Sequence, residues 1–140
     1  MFVGDYSGRK TTGFVIGLVL FAGIFIASGF LHFFVPEPYL RIIPPFLPWP
    51  KALLGASGAA EIAGGVGLLV GKFRRVAGYG LAALLVAVFP ANVYMAVAHV
   101  SFPGIIGESW VQWLRLPLQI PLILWALYYA KAPAKSRRET

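Results

Sequence analysis

One stretch limits this chain more than any other: Ala52–Val70, ALLGASGAAEIAGGVGLLV, with a single carboxyl group, Glu61, at its middle. A helix rising ~1.5 Å per residue over that length approaches the hydrocarbon thickness of a bilayer. An ionisable side chain at such depth costs at least ~2.5 kcal/mol and faces a protein interior or a cavity rather than lipid. The small residues around it (Gly55, Ala56, Ser57, Gly58, Ala59, Ala60, Gly64, Gly65) let neighbouring helices approach almost backbone to backbone. The rest of the chain has to supply what Glu61 faces.

Apolar runs of similar length recur. With 59% hydrophobic and 12% charged residues in 140, and a mean hydropathy of +0.77, the chain has about half the charge of a soluble domain. The expected fold is an all-α membrane protein: a single four-transmembrane-helix domain over residues 11–130, with helices at about 11–34, 52–70, 76–100 and 110–130. A polar tail, 1–10, precedes it and a basic tail, 131–140, follows. Thr11–Phe34 is longer than the apolar core of a signal peptide and is expected to stay as the first helix.

Val35–Pro50 holds six of the eleven prolines, which stop a helix and favour extended or turn conformations. It reads as an ordered interfacial loop or as a lid over an opening, with a short helical turn at Tyr39–Ile43. Tyr39, Phe46 and Trp49 are residue types of the membrane–water interface, as are Trp125, Tyr128 and Tyr129 at the far end. Gly71 is expected to cap the second helix, Pro90 to kink the third, and Ser101–Ser109 to form a loop.

The net charge of +7 is confined to the flanks of the spans. Arg9, Lys10, Lys72, Arg74, Arg75, Lys131, Lys135, Arg137 and Arg138 fall on one side, and only Arg41 and Lys51 on the other. The excess marks the cytoplasmic side, so both termini are expected there and the Pro-rich loop outside. With no basic face beyond these flanks, nucleic acid is not an expected partner; the lipid bilayer is. The absence of cysteine excludes a disulfide, a thiolate metal site and thiol exchange by this chain.

Five polar side chains stand out within the spans: His32, Glu61, Asn92, Arg115 and Gln119. With alternating helix directions, His32 lies within about one turn of the outer surface, Glu61 ~15 Å down, Asn92 ~10 Å, Arg115 ~8 Å and Gln119 one turn deeper. All lie in the outer half, which suggests one shared polar pocket. Pairing Arg115 with Glu61 relieves two isolated charges in lipid, and Asn92 and Gln119 supply further hydrogen bonds. Whether Glu61 exchanges protons depends on whether Arg115 holds it ionised. The same residues also suit a purely structural role in fixing helix register. His32 and His99, with Glu37 and Glu108 in adjoining loops, are weak candidates for a metal or haem site, because no spacing motif supports them. Tyr94, Trp110 and Trp113 suit either a wall for a planar ligand or interfacial anchors.

The chain resembles the DoxX and DoxX-like small membrane proteins. The resemblance runs through His32-Phe33-Phe34-Val35-Pro36-Glu37-Pro38-Tyr39, Ile43-Pro44-Pro45, Leu47-Pro48 and Ser57–Gly65, then Phe89-Pro90-Ala91-Asn92 and Arg115-Leu116-Pro117-Leu118-Gln119. It implies a four-helix protein of the bacterial cytoplasmic membrane linked to redox or stress physiology. The family takes its name from a subunit of a thiosulfate:quinone oxidoreductase. Related four-helix proteins pass electrons to quinone through a cysteine pair, which this chain lacks. The implied role is therefore a subunit or anchor that binds a quinone or similar small molecule through His32, Glu61, Asn92, Arg115 and Gln119, beside a partner oxidoreductase subunit or in a homo-oligomer. A structural assembly factor and an oligomeric small-molecule transporter are the alternatives. An autonomous enzyme is least expected, with no nucleophile–base pair, metal motif or phosphate loop.

Overall fold

A computed structural model of the chain describes residues 9–132. Those residues are all-helical, without a strand: α1 (Arg9–Phe34), α2 (Pro36–Ile42), α3 (Pro50–Leu69), α4 (Arg74–Val97) and α5 (Ser109–Lys131), with a short 3-10 helix at Gly104–Gly107 before α5. Apart from residues 9–10 and 131–132, the two tails expected from the sequence lie outside the described residues.

Among the described residues, three helices are long and apolar enough to cross a membrane: Thr12–Phe34, Pro50–Leu69 and Arg74–Val97. At 23 residues, α5 matches them in length, but Gln112, Arg115, Gln119 and two prolines keep it below their apolarity.

The helices alternate in direction. Gly29 of α1 meets Gly58 and Ile62 of α3, while Gly65 of α3 meets Ala22 and Ile26 of α1, so these two are antiparallel. Gly64 against Leu81 and Gly67 against Ala77 make α4 antiparallel to α3. Gly78 against Ala126 and Ala130 does the same for α5 on α4. The bundle closes through aromatic contacts of α1 with α5: Phe21 on Trp125 at 4.6 Å between ring centres, and Phe14 edge-on to Tyr129 at 5.2 Å. Leu18, Phe21, Leu68, Leu81, Ala126 and Tyr129 form the core. The order around the bundle is therefore α1, α3, α4, α5, with α3 diagonal to α5.

Close approach requires small residues at the contacts. A Cβ at Gly29 would stand 2.6 Å from the Gly58 carbonyl oxygen, and one at Gly58 would stand 3.0 Å from that of Gly29. The outward faces are apolar instead: Ile16, Leu20 and Ile24 on α1 and Val86 on α4 are all more than half exposed.

The boundaries differ from expectation at informative places. Pro36 opens α2, the first-turn position where a missing N–H is no loss, so the Pro-rich segment begins as two helical turns rather than a turn at Tyr39–Ile43. α3 likewise starts at Pro50, behind Trp49 in a left-handed conformation (φ 51°). It is capped by Val70, whose N–H bonds back to Val66 and Gly67, and Gly71 takes no positive φ. α4 runs through Pro90, and α5 through Pro117 and Pro121. Where α3 turns into α4, the buried Arg74 donates from Nε to the Leu68 carbonyl at 2.9 Å, satisfying one of the last acceptors of α3.

Candidate functional site

All five polar residues singled out above lie toward the end of the bundle that carries α2 and the 3-10 helix, but they form two groups. The first joins α4 to α5. Gln119, only 3% exposed, accepts from Asn92 Nδ2 at 2.9 Å and donates its own Nε2 to the Leu85 carbonyl. Arg115, one turn earlier on the same face of α5, donates from Nη2 to Asn92 Oδ1 at 3.2 Å and from Nη1 toward Met95 Sδ at 3.7 Å. Asn92 thus both donates and accepts within a chain of amides and a guanidinium.

The second group joins α1 to α3. The glycine contacts bring the His32 Cβ within reach of the Gly58 backbone, and one turn deeper Glu61 faces α1. His32 Nε2 and Glu61 Oε2 are 3.9 Å apart, outside hydrogen-bond range, and the Ser28 hydroxyl, one turn before His32, is the nearby donor that favours the Glu61 carboxylate. Both residues are only 9% exposed. Among the described residues, His32 Nδ1 and Glu61 Oε2 are the buried side-chain polar atoms without a hydrogen-bond partner.

The expected Glu61–Arg115 ion pair is therefore replaced by two separate sets of contacts. The cause is topological. α3 and α5 are diagonal, so Glu61 turns to its neighbour α1, and Arg115 to its neighbour α4.

Tyr39 of α2 stands between the groups. Its ring sits edge-on to His32 at 4.4 Å between centres and edge-on to Phe102 at 5.3 Å, which ties α2 to the loop before α5. Burial raises the Tyr39 hydroxyl pKa above its ordinary 10.0; the Glu61 charge raises it further and the Arg115 charge lowers it. Both charges thus act on one phenol. Tyr39 faces inward, while Phe46 and Trp49 of the same segment stand 79% and 77% exposed, as interfacial anchors would.

His99 ends α4 in a left-handed conformation (φ 49°) and is exposed. No group of three His, Cys, Asp or Glu side chains comes together among the described residues. Tyr94 is half-buried, and Trp110 and Trp113 are 61% and 49% exposed.

Sequence reasoning missed Ser28, Tyr39, Met95 and Gln112. Ser28 lies four residues before His32 and Met95 three after Asn92, spacings that share a helix face and mark them as neighbours. Gln112 donates to the Val100 and Gly107 carbonyls and holds the loop before α5.

The family model described as a domain of unknown function, DUF8561, matches residues 21–130, and the chain belongs to that family. No curated protein and no solved structure matches it. The matched span includes both polar groups and excludes the tails.

Proposed function

On the premise of that membership, we propose that the protein holds the polar head of a quinone or a similar small molecule at His32 and Glu61. The observation that carries this reading is the buried pair of unpartnered atoms, His32 Nδ1 and Glu61 Oε2. A buried polar group without a partner is destabilising by about 1–3 kcal/mol, and such groups persist where something else uses them. Imidazole and carboxyl together offer donor and acceptor, which suits both the carbonyl of a quinone and the hydroxyl of a quinol. Tyr39 covers them from α2, in agreement with a lid.

The reading includes a four-span topology. α5 turns Leu114, Leu118, Ile120 and Leu124 outward, each 47% exposed or more, a face as apolar as those of the other helices. That supports α5 as a fourth span, with the Pro-rich segment outside and both termini on the cytoplasmic side of a bacterial membrane. The DoxX resemblance supports a non-catalytic subunit, with electrons handled by a partner oxidoreductase, because the chain has no cysteine to carry them. A homo-oligomer is an alternative setting for the same site.

A structural reading has its own observation: the Asn92–Gln119–Arg115 bonds are complete and tie α4 to α5. We assign that half of the cluster to holding the bundle. The test is protein purified in mild detergent, extracted for quinone and then titrated with a short-tailed quinone. Retained quinone, or a raised unfolding midpoint lost in Glu61→Gln, is expected. No retained quinone and no shift would sink the proposal.

A further inference from the structure

At the opposite end of the bundle, where α3 turns into α4 and α5 ends, lies a cleft of about 500 Å³. Its lining includes Lys72, Arg74, Arg75, Lys131 and Tyr79, four cations and a phenol with no carboxylate among the lining residues. Four like charges around one concavity repel one another and raise the local potential, which favours an anion between them.

The cations are held in different ways. Arg74 is buried, anchored on the Leu68 carbonyl at 2.9 Å, with its guanidinium 5.7 Å from the centre of the Phe14 ring. Lys72, Arg75 and Lys131 are exposed, and Lys72 Nζ lies 5.1 Å over the Phe73 ring. Immediately around them the surface is apolar: Val76 is 74% exposed, Tyr128 58% and Phe73 50%. A free anion has no use for those neighbours. A phosphate carrying acyl chains does, since its head sits among the cations while its chains run along the outward faces of α4 and α5.

We infer that this cleft binds the phosphate head of an anionic membrane lipid. Arg and Lys both suit phosphate, Arg through paired donors and Lys as a point charge. Basic pockets between spanning helices on the cytoplasmic side are suited to such headgroups. This site is separate from the His32–Glu61 site and goes beyond the function proposed for it.

The experiment uses the full chain in nanodiscs of phosphatidylcholine alone, or with phosphatidylglycerol or cardiolipin, and counts lipids retained on release by native mass spectrometry. One or two anionic lipids per chain are expected to survive, with a raised unfolding midpoint. Lys72→Gln, Arg75→Gln and Lys131→Gln, all exposed positions, should each reduce retention about fivefold. A variant with Lys135, Arg137 and Arg138 changed to Gln tests whether the tail does the work, and its retention should match the unmodified chain. Inorganic phosphate added to phosphatidylcholine discs is the free-anion arm and should leave the midpoint unchanged. Stabilisation by phosphate alone, equal retention of zwitterionic lipid, or retention unaffected by the three cleft substitutions would each overturn the inference.

Discussion

If the α1–α3 half of the polar cluster serves a ligand and the α4–α5 half serves the bundle, removing polarity should have opposite effects in the two halves. Glu61→Met keeps length and volume while deleting the carboxyl. It removes a buried, unpartnered Oε2, worth about 1–3 kcal/mol in relief, and loses at most the interaction with the Ser28 hydroxyl, about 0.6–1 kcal/mol for a full bond between membrane helices. The 3.9 Å separation from His32 adds little to that loss. The net lies between zero and about 2 kcal/mol in favour of the variant. Gln119→Leu does the reverse. It deletes the bonds with Asn92 and the Leu85 carbonyl and leaves Asn92 Nδ2 without its acceptor, a loss of about 2 kcal/mol or more. Both variants are to be compared with the unmodified protein in thermal unfolding, after exhaustive detergent washing to remove bound small molecules. Expected is a midpoint unchanged or raised for Glu61→Met and clearly lowered for Gln119→Leu. If Glu61→Met falls as far as Gln119→Leu, the carboxyl is a structural tie, and the argument from its unpartnered oxygen fails.

Gly29→Val should be destabilising by about 1–3 kcal/mol, because the new side chain meets the Gly58 carbonyl where even a Cβ stands at 2.6 Å. Gly23→Ala, with nothing within 4 Å of its new Cβ, should be neutral or stabilising by up to about 1 kcal/mol in the same unfolding assay. Tyr39 has a folded-state pKa above its unfolded 10.0, so the stability linked to it is fully present below pH 10 and is lost as pH rises from there through the folded value. Titration by tyrosinate absorbance should show a late-ionising component that Tyr39→Phe removes and Glu61→Gln moves to lower pH; a Tyr39 that ionises at 10 or below would contradict its burial. The absence of cysteine makes topology directly readable. Glu108→Cys and Ala132→Cys, placed singly, should react with membrane-impermeant maleimide from opposite sides, and labelling of both from one side would remove α5 as a span.

The helix on which each polar residue sits was readable from the loop positions, and so was the tight packing around Gly58 and Gly65. Which polar groups touch was not. α1 is apolar almost all round, so its periodicity carries no information about facing, and a residue's height leaves its direction open. Glu61 and Arg115 meet different partners, His32 and Ser28 of α1 for the one and Asn92 and Met95 of α4 for the other, because helix order sets them across a diagonal. Tyr39 was legible as an interfacial aromatic but not as an inward one. Its direction comes from Pro36, which begins a helix where the proline count suggested only a loop, and so turns one face of the segment onto His32.

The lower apolarity of α5 follows from the same arrangement. Its polar residues are not scattered. Gln112, Arg115 and Gln119 recur at spacings of three and four, and the two glutamines are buried, so they share the face turned toward α4 and the loop before α5. Leu114, Leu118, Ile120 and Leu124 occupy the remainder. A whole-helix average mixes these two faces and ranks α5 below its neighbours, although its exposed face carries leucine and isoleucine as theirs do. In each case the polar atoms are satisfied by α4 or by the loop carbonyls of Val100 and Gly107, which removes most of the desolvation penalty that would keep such a helix out of a membrane. α3 is the opposite case: mostly glycine, alanine and leucine, it carries the one buried side-chain oxygen that the described residues leave without a donor. Polar content in this bundle thus divides by satisfaction rather than by number.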